Sequence, residues 1–177
     1  MSALDDLLTV RDFQDGARRK LDPVHYDYVA GGAGDEVTLR ANEAGFARLS
    51  LLPRVLRGSA ERDLAITVLG TYASMPVVVS PTAFHRLICA EGELATGRAT
   101  ARAQTILIAS MASTVAIGEV AAAARAAATD RDPALWFQVY LQPDPQDTLV
   151  LVRRAAAAGC TALVLTVDSP VRGVNER

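Results

Sequence analysis

The chain holds little cysteine, little histidine and few aromatic side chains, and it carries no marked excess of charge. Its two cysteines, Cys89 and Cys160, lie far apart in 177 residues. They fit no metal-ligand spacing and no disulfide framework, a pattern suited to a reducing compartment. No pair of histidines or carboxylates sits at ligand spacing either, so no metal site is expected. The formal net charge is −2 and no Lys/Arg stripe is visible, which argues against a nucleic-acid surface or an anionic-membrane anchor. The opening MSALDDLLTVRDF carries acids where a signal peptide needs a basic start. No apolar run approaches the ~18 residues of a membrane span. The Ala-rich stretches are broken by Arg125 and by Arg153-Arg154. The reading is a cytoplasmic protein with neither a membrane nor a nucleic-acid partner.

What the chain does hold is core material: 50% hydrophobic residues against 21% charged, a balance that excludes wholesale disorder. Thr9 is placed to cap a helix from Val10 to about Leu21, with Asp12 in its first turn and Arg18, Arg19 and Lys20 in its last. Asp22-Pro23 opens a second helix, which carries His25, Tyr26 and Tyr28 and stops at Gly31-Gly32. A third helix runs through Glu36–Phe46. Leu49–Leu56 and Leu64–Leu69 read as short strands, with Gly70 supplying a turn.

From Met75 the pattern becomes periodic. Short apolar strands at Val77–Val79, Ile106–Ile108, Leu135–Tyr140 and Ala162–Val167 alternate with helices at Glu91–Gln104, Ile117–Ala128 and Gln146–Ala158. Near-continuous apolar strands separated by helices describe a parallel sheet covered by helices. Two architectures meet that description. A doubly wound sheet usually carries a Gly-rich phosphate turn after its first strand, but Ser80-Pro81-Thr82-Ala83 stands there, and neither GxGxxG nor GxxxxGK[ST] occurs. The alternative is part of a (β/α)8 TIM barrel: an N-terminal helical and β-hairpin extension over residues 1–74, then the first four βα units over 75–177. Such barrels need about 250 residues, so the second half is expected to lie outside this sequence.

In a βα barrel the active site gathers at the carboxyl ends of the strands. All four strands here end in hydrogen-bonding groups: Ser80-Pro81-Thr82, Ser110, Gln138-Val139-Tyr140 and Thr166-Val167-Asp168. Neutral donors and acceptors of this kind suit a planar ring edged with heteroatoms, which points to a flavin.

Several stretches, read together, resemble the FMN-dependent α-hydroxy-acid oxidase/dehydrogenase family. They are YDYVAGGAGDEVTLRAN (26–42), LLPRVL (51–56), MPVVVSPTAF (75–84), EGELATGRA (91–99), WFQVYLQ (136–142) and LVRRAAAAGCTALVLTVDSP (151–170), in family order over essentially the whole chain. The resemblance implies a TIM barrel that binds FMN and moves a hydride equivalent from the α-carbon of a small 2-hydroxy acid. It implies that Pro81, Thr82, Ala83, Ser110, Gln138 and Thr166 contact the flavin ring. Tyr28 then falls where the family binds the substrate carboxylate, and Tyr140 where it bonds the substrate hydroxyl; a phenol stays neutral and donating at pH 7. Asp168 matches a carboxylate that orients the catalytic histidine.

Departures accompany the match. The family's base histidine, flavin lysine and phosphate site belong to the second barrel half, and neither His25 nor His85 falls at the base position. Asn175 stands where a substrate-facing Arg is expected, and an amide there forfeits a bidentate charged fork. Arg172 or Arg177 is placed to compensate. Ala112 replaces a Trp found in some members, leaving room for a larger substrate side chain. The expected activity is oxidation of a 2-hydroxy acid in company with the C-terminal half of the barrel, in a homo-oligomer. The competing reading is a non-catalytic half-barrel acting as a binding or assembly module.

Overall fold

Helix caps written into the sequence set the first elements of the computed structural model, which describes residues 6–58 and 61–168. Helix α1 spans Val10–Lys20. The Thr9 hydroxyl accepts from the Asp12 amide at 3.3 Å while the Asp12 carboxylate accepts from the Thr9 amide at 2.6 Å. This reciprocal pair satisfies two amide donors that a helix start leaves open. Those hydrogen bonds, the Thr9 amide first, hold the Asp12 carboxyl below its ordinary range. Helix α2 spans Pro23–Ala30, with the Asp22 side chain accepting from the Val24 amide at 2.9 Å. Helix α3 spans Val37–Ala47. The strand expected over Leu49–Leu56 is absent: among the described residues these pair with no neighbouring strand, and Leu51, Leu52 and Leu56 are almost wholly exposed. An apolar run becomes a strand only when another segment takes its backbone hydrogen bonds.

The described residues divide into two compact units, 6–58 and 61–168. The second unit begins with a hairpin, β1 (Ile66–Val68) against β2 (Thr71–Ala73). Its two-residue turn places both Leu69 and Gly70 at positive φ, +47° and +74°, the backbone twist that a tight hairpin demands. The turn at Gly70 is therefore where the sequence put it, but the partner strand follows it directly and does not come from 49–56. By its packing the hairpin goes with the repeating region rather than with the helical extension.

The repeat itself forms a parallel sheet in the order β3 (Leu107–Ser110), β4 (Leu135–Val139), β5 (Ala162–Leu165). Helices α4 (Glu93–Ala103), α5 (Ile117–Ala127) and α6 (Pro145–Ala157) separate the strands. The strand expected at Val77–Val79 is reduced to one parallel bridge between Val79 and Leu107. The Thr105 hydroxyl takes the Val77 carbonyl in place of a backbone amide, and Pro81 has no N–H to extend the ladder forward. A short 3-10 turn over His85–Leu87 follows, which the sequence pattern did not announce.

Side chains alternate across each strand. Leu107, Leu135, Ala109, Phe137 and Val139 face the helices, packed on Val120, Ala121, Ala124 and Ala155. Trp136, Ile108 and Val164 face the other way, against Ile66, Val68 and Ala73 of the hairpin. The Trp136 indole N–H donates to Thr71 Oγ1 at 3.2 Å. The hairpin thus covers the amino-terminal part of the inner face and leaves its carboxyl end to polar residues. Among the described residues no helix is long and apolar enough to cross a membrane.

Candidate functional site

Register decides what meets at the carboxyl end of the sheet. Ser110 pairs with Gln138, and Gln138 with Val164; Thr166, two residues further on, returns to the same face. The three polar side chains lie side by side as a consequence of strand alignment. The Gln138 side chain is the hub. Its Oε1 accepts from Ser110 Oγ at 3.2 Å and from the Met111 amide at 3.4 Å, and its Nε2 donates to Thr166 Oγ1 at 2.9 Å. The Ser110 hydroxyl accepts in turn from the Ala112 amide at 3.1 Å. Gln138 is only 2% exposed and Ser110 7%. A buried amide without partners costs about 1–3 kcal/mol, so this chain of bonds both orients the groups and removes that penalty.

The turn after Val79 reaches the same place. Ser80, Thr82 and Ser110 line one small cavity together with His85, Glu93 and Ser113. Phe84 sits at φ +57°, a left-handed conformation costing a non-glycine residue roughly 1–2 kcal/mol. Its amide donates to the Ala112 carbonyl at 3.3 Å, so the strained residue is held by the loop that follows β3. Glu93, at the start of α4, is 4% exposed. It accepts from the His85 amide at 3.2 Å, from the Thr114 amide at 2.8 Å and from the Thr114 hydroxyl at 2.6 Å. Burial pushes this carboxyl up, but the hydrogen bonds from Thr114 and His85 outweigh it and leave Glu93 below the ordinary carboxylate range.

The remaining predicted residues stand as follows. Pro81 and Ala83 flank Thr82 in the turn, both half-buried. Tyr140 follows β4 directly and is 40% exposed, with its amide against Met111 Sδ at 3.1 Å. Asp168 is exposed, two residues beyond Thr166. Tyr28 lies on α2 in the first unit and is 53% exposed. Asn175 lies outside the described residues. Sequence reasoning overlooked Glu93 and Thr114. An acid in the first turn of a helix is the ordinary partner of the helix dipole, so nothing in the pattern pointed Glu93 inward. Among the described residues no group of His, Cys, Asp or Glu could hold a metal ion.

The donor set is neutral and spread along three strand ends. Hydroxyls and amides of this kind suit the edge of a heteroatom-rich ring better than a metal or a bare phosphate.

Comparison with known proteins agrees. Residues 17–177 match the family described as FMN-dependent dehydrogenase. The chain is 40% identical over 178 aligned positions to an L-lactate oxidase of Nostoc sp., covering 100% of this chain and 48% of that protein. It is 41% identical over 170 residues to human 2-hydroxyacid oxidase 1, covering 96% of this chain and 44% of the relative. A relative from Oryza sativa subsp. indica, 39% identical over 96% of this chain and 44% of its own length, is named a peroxisomal (S)-2-hydroxy-acid oxidase. Among solved structures, mandelate oxidase superposes with a TM-score of 0.86 at 37% identity, covering 96% of this chain and 47% of the other. The chain thus spans about half the length of the relatives it matches.

Proposed function

The chain belongs to the FMN-dependent dehydrogenase family, and on that footing we propose that it supplies the N-terminal part of an enzyme oxidising a small 2-hydroxy acid to the 2-oxo acid. In this reading residues 75–177 are the first four βα units of a (β/α)8 barrel, and residues 1–74 hold the helical extension and the hairpin that packs on the sheet. The observation that carries the proposal is the buried Ser110–Gln138–Thr166 chain at three adjacent strand ends.

FMN, when bound, supplies the acceptor for two electrons from the substrate α-carbon. The chain's own residues do the rest of the work assigned here. Pro81, Thr82 and Ala83 would contact the ring, and Ser110, Gln138 and Thr166, which bond to one another, would hold its hydrogen-bonding groups. Tyr140 donates its phenol hydrogen to the substrate hydroxyl, and Tyr28 donates to the substrate carboxylate. Asp168 orients a histidine contributed by the C-terminal half of the barrel. Asn175 takes the place of a substrate-facing Arg, which weakens the hold on the carboxylate because an amide lacks the charged fork. His85 is not the base: its Nδ1 lies 3.1 Å from Thr96 Oγ1, behind the turn. Residues 1–177 alone are therefore expected not to turn over a 2-hydroxy acid, and the working protein is a homo-oligomer with both barrel halves present.

The test is the visible spectrum of the full-length protein before and after anaerobic addition of lactate or mandelate. A flavin spectrum that bleaches supports the proposal. A protein that neither carries nor takes up FMN overturns it and favours an assembly module, the reading to which the half-exposed Leu163 and Leu165 on β5 lend support.

A further inference from the structure

Two of the polar groups assigned to the proposed flavin edge border loops: Thr82 lies in the turn after Val79, and Ser110 ends β3 where the next loop begins. The turn after Val79 contains Phe84 in a left-handed conformation, φ +57°. The segment after β3 leaves the sheet at Ser110 and reaches α5 only at Ile117. One side chain joins them. Glu93 accepts from the His85 amide on the first loop and from both the amide and the hydroxyl of Thr114 on the second. The Thr114 hydroxyl accepts in turn from the Arg86 amide at 3.3 Å, closing the tie back onto the first loop. The junction is tight: a Cβ on Gly92, itself at φ +55°, would lie 2.8 Å from Arg86 Cγ and 3.4 Å from Thr114 Oγ1.

We infer that Glu93 is a positioning residue for the cofactor: its carboxylate fixes the turn bearing Thr82 against the loop that follows Ser110, and so sets the shape of the edge that receives FMN. The inference rests on the assignment of that edge made above. It goes further because Glu93 lines the cavity behind these residues and is not one of the groups assigned to the ring. A carboxylate suits the task because three donors converge on it, and an acceptor-only group satisfies all three. Glutamine can satisfy most of them, since the Thr114 hydroxyl can rotate to accept from an amide N–H. Alanine satisfies none.

The experiment uses the full-length protein freed of FMN and titrated with FMN, following flavin fluorescence for affinity and visible circular dichroism for the asymmetry of the ring's surroundings. Expected results are an affinity at least about tenfold weaker in E93A, with altered visible dichroism. E93Q recovers most of the loss, and T114V gives a severalfold loss. If E93A binds FMN with wild-type affinity and dichroism while only its thermal midpoint falls, Glu93 is purely structural and the inference is overturned. If E93A does not fold, T114V decides: wild-type affinity and dichroism in T114V overturn the inference as well. A wild-type protein that fails to bind FMN sinks the assignment of the edge itself, and this appears before any variant is made.

Discussion

The two cysteines illustrate how position decides chemistry for a single side chain. Cys160 follows the helix stop at Gly159 and packs among Ala109, Phe137 and Ala155. Burial pushes its thiol up to about 11, so at pH 8 roughly one molecule in a thousand carries the reactive thiolate. Cys89 is exposed. A disulfide reagent at pH 8 is expected to label one thiol per chain rapidly, with C89S abolishing that phase. The Cys160 phase should accelerate as pH rises toward 11; rapid labelling of both thiols at pH 8 would contradict this. The polar residues of the site obey the same rule. Ser110, Gln138 and Thr166 were legible in the sequence because each directly follows an apolar run. Glu93 was not, because its inward direction depends on donors from residues 85 and 114, which the sequence does not bring together.

At the level of elements, α4 and α5 pack closely at Gly97 and Val120. Gly97 lies in the middle of α4, where a Cβ would sit 3.1 Å from Val120 Cγ1 and 3.2 Å from the Val120 carbonyl oxygen. Glycine in a helix interior ordinarily costs about 1 kcal/mol against alanine, yet here it permits the approach that buries Val120, Ala121 and Ala124. Overpacking such a contact costs about 1–3 kcal/mol. G97V is accordingly expected to lower the denaturation midpoint, checked by urea unfolding with an unchanged m-value. An equal or raised midpoint would show that the helices separate without penalty. The helices were well read from the sequence because caps and stops are local: Thr9, Asp22 and Gly159 each act within a few residues of themselves. Strands were read less well, since Val77–Val79 and Leu49–Leu56 have the composition of strands and pair once or not at all.

For the molecule as a whole, the informative surface is the far edge of the sheet. β5 pairs with β4 on one side and with no strand on the other among the described residues. Its helix-side residues Leu163 and Leu165 remain 47% and 48% exposed, and Val167 80%. An open edge with an apolar face recruits another chain segment. A polypeptide of residues 1–177 is expected to self-associate, checked by sedimentation velocity, with L163E/L165E shifting it toward monomer. In the full-length protein the same double variant should weaken folding instead, if the second barrel half covers this face. A monodisperse monomer of residues 1–177 would argue that the face is closed some other way.

The sequence by itself determined where the helices lie to within a residue or two, the βα rhythm from residue 75, the family and the polar character of each strand end, because those are properties of neighbours along the chain or of recurrent motifs. Only the tertiary structure decided that Gln138 lies buried between Ser110 and Thr166, that the hairpin closes on itself, and that Glu93 joins two loops eight and twenty-one residues away. Such facts depend on register and on the meeting of distant segments, and a side chain's partners across that distance are chosen by packing rather than by its place in the chain.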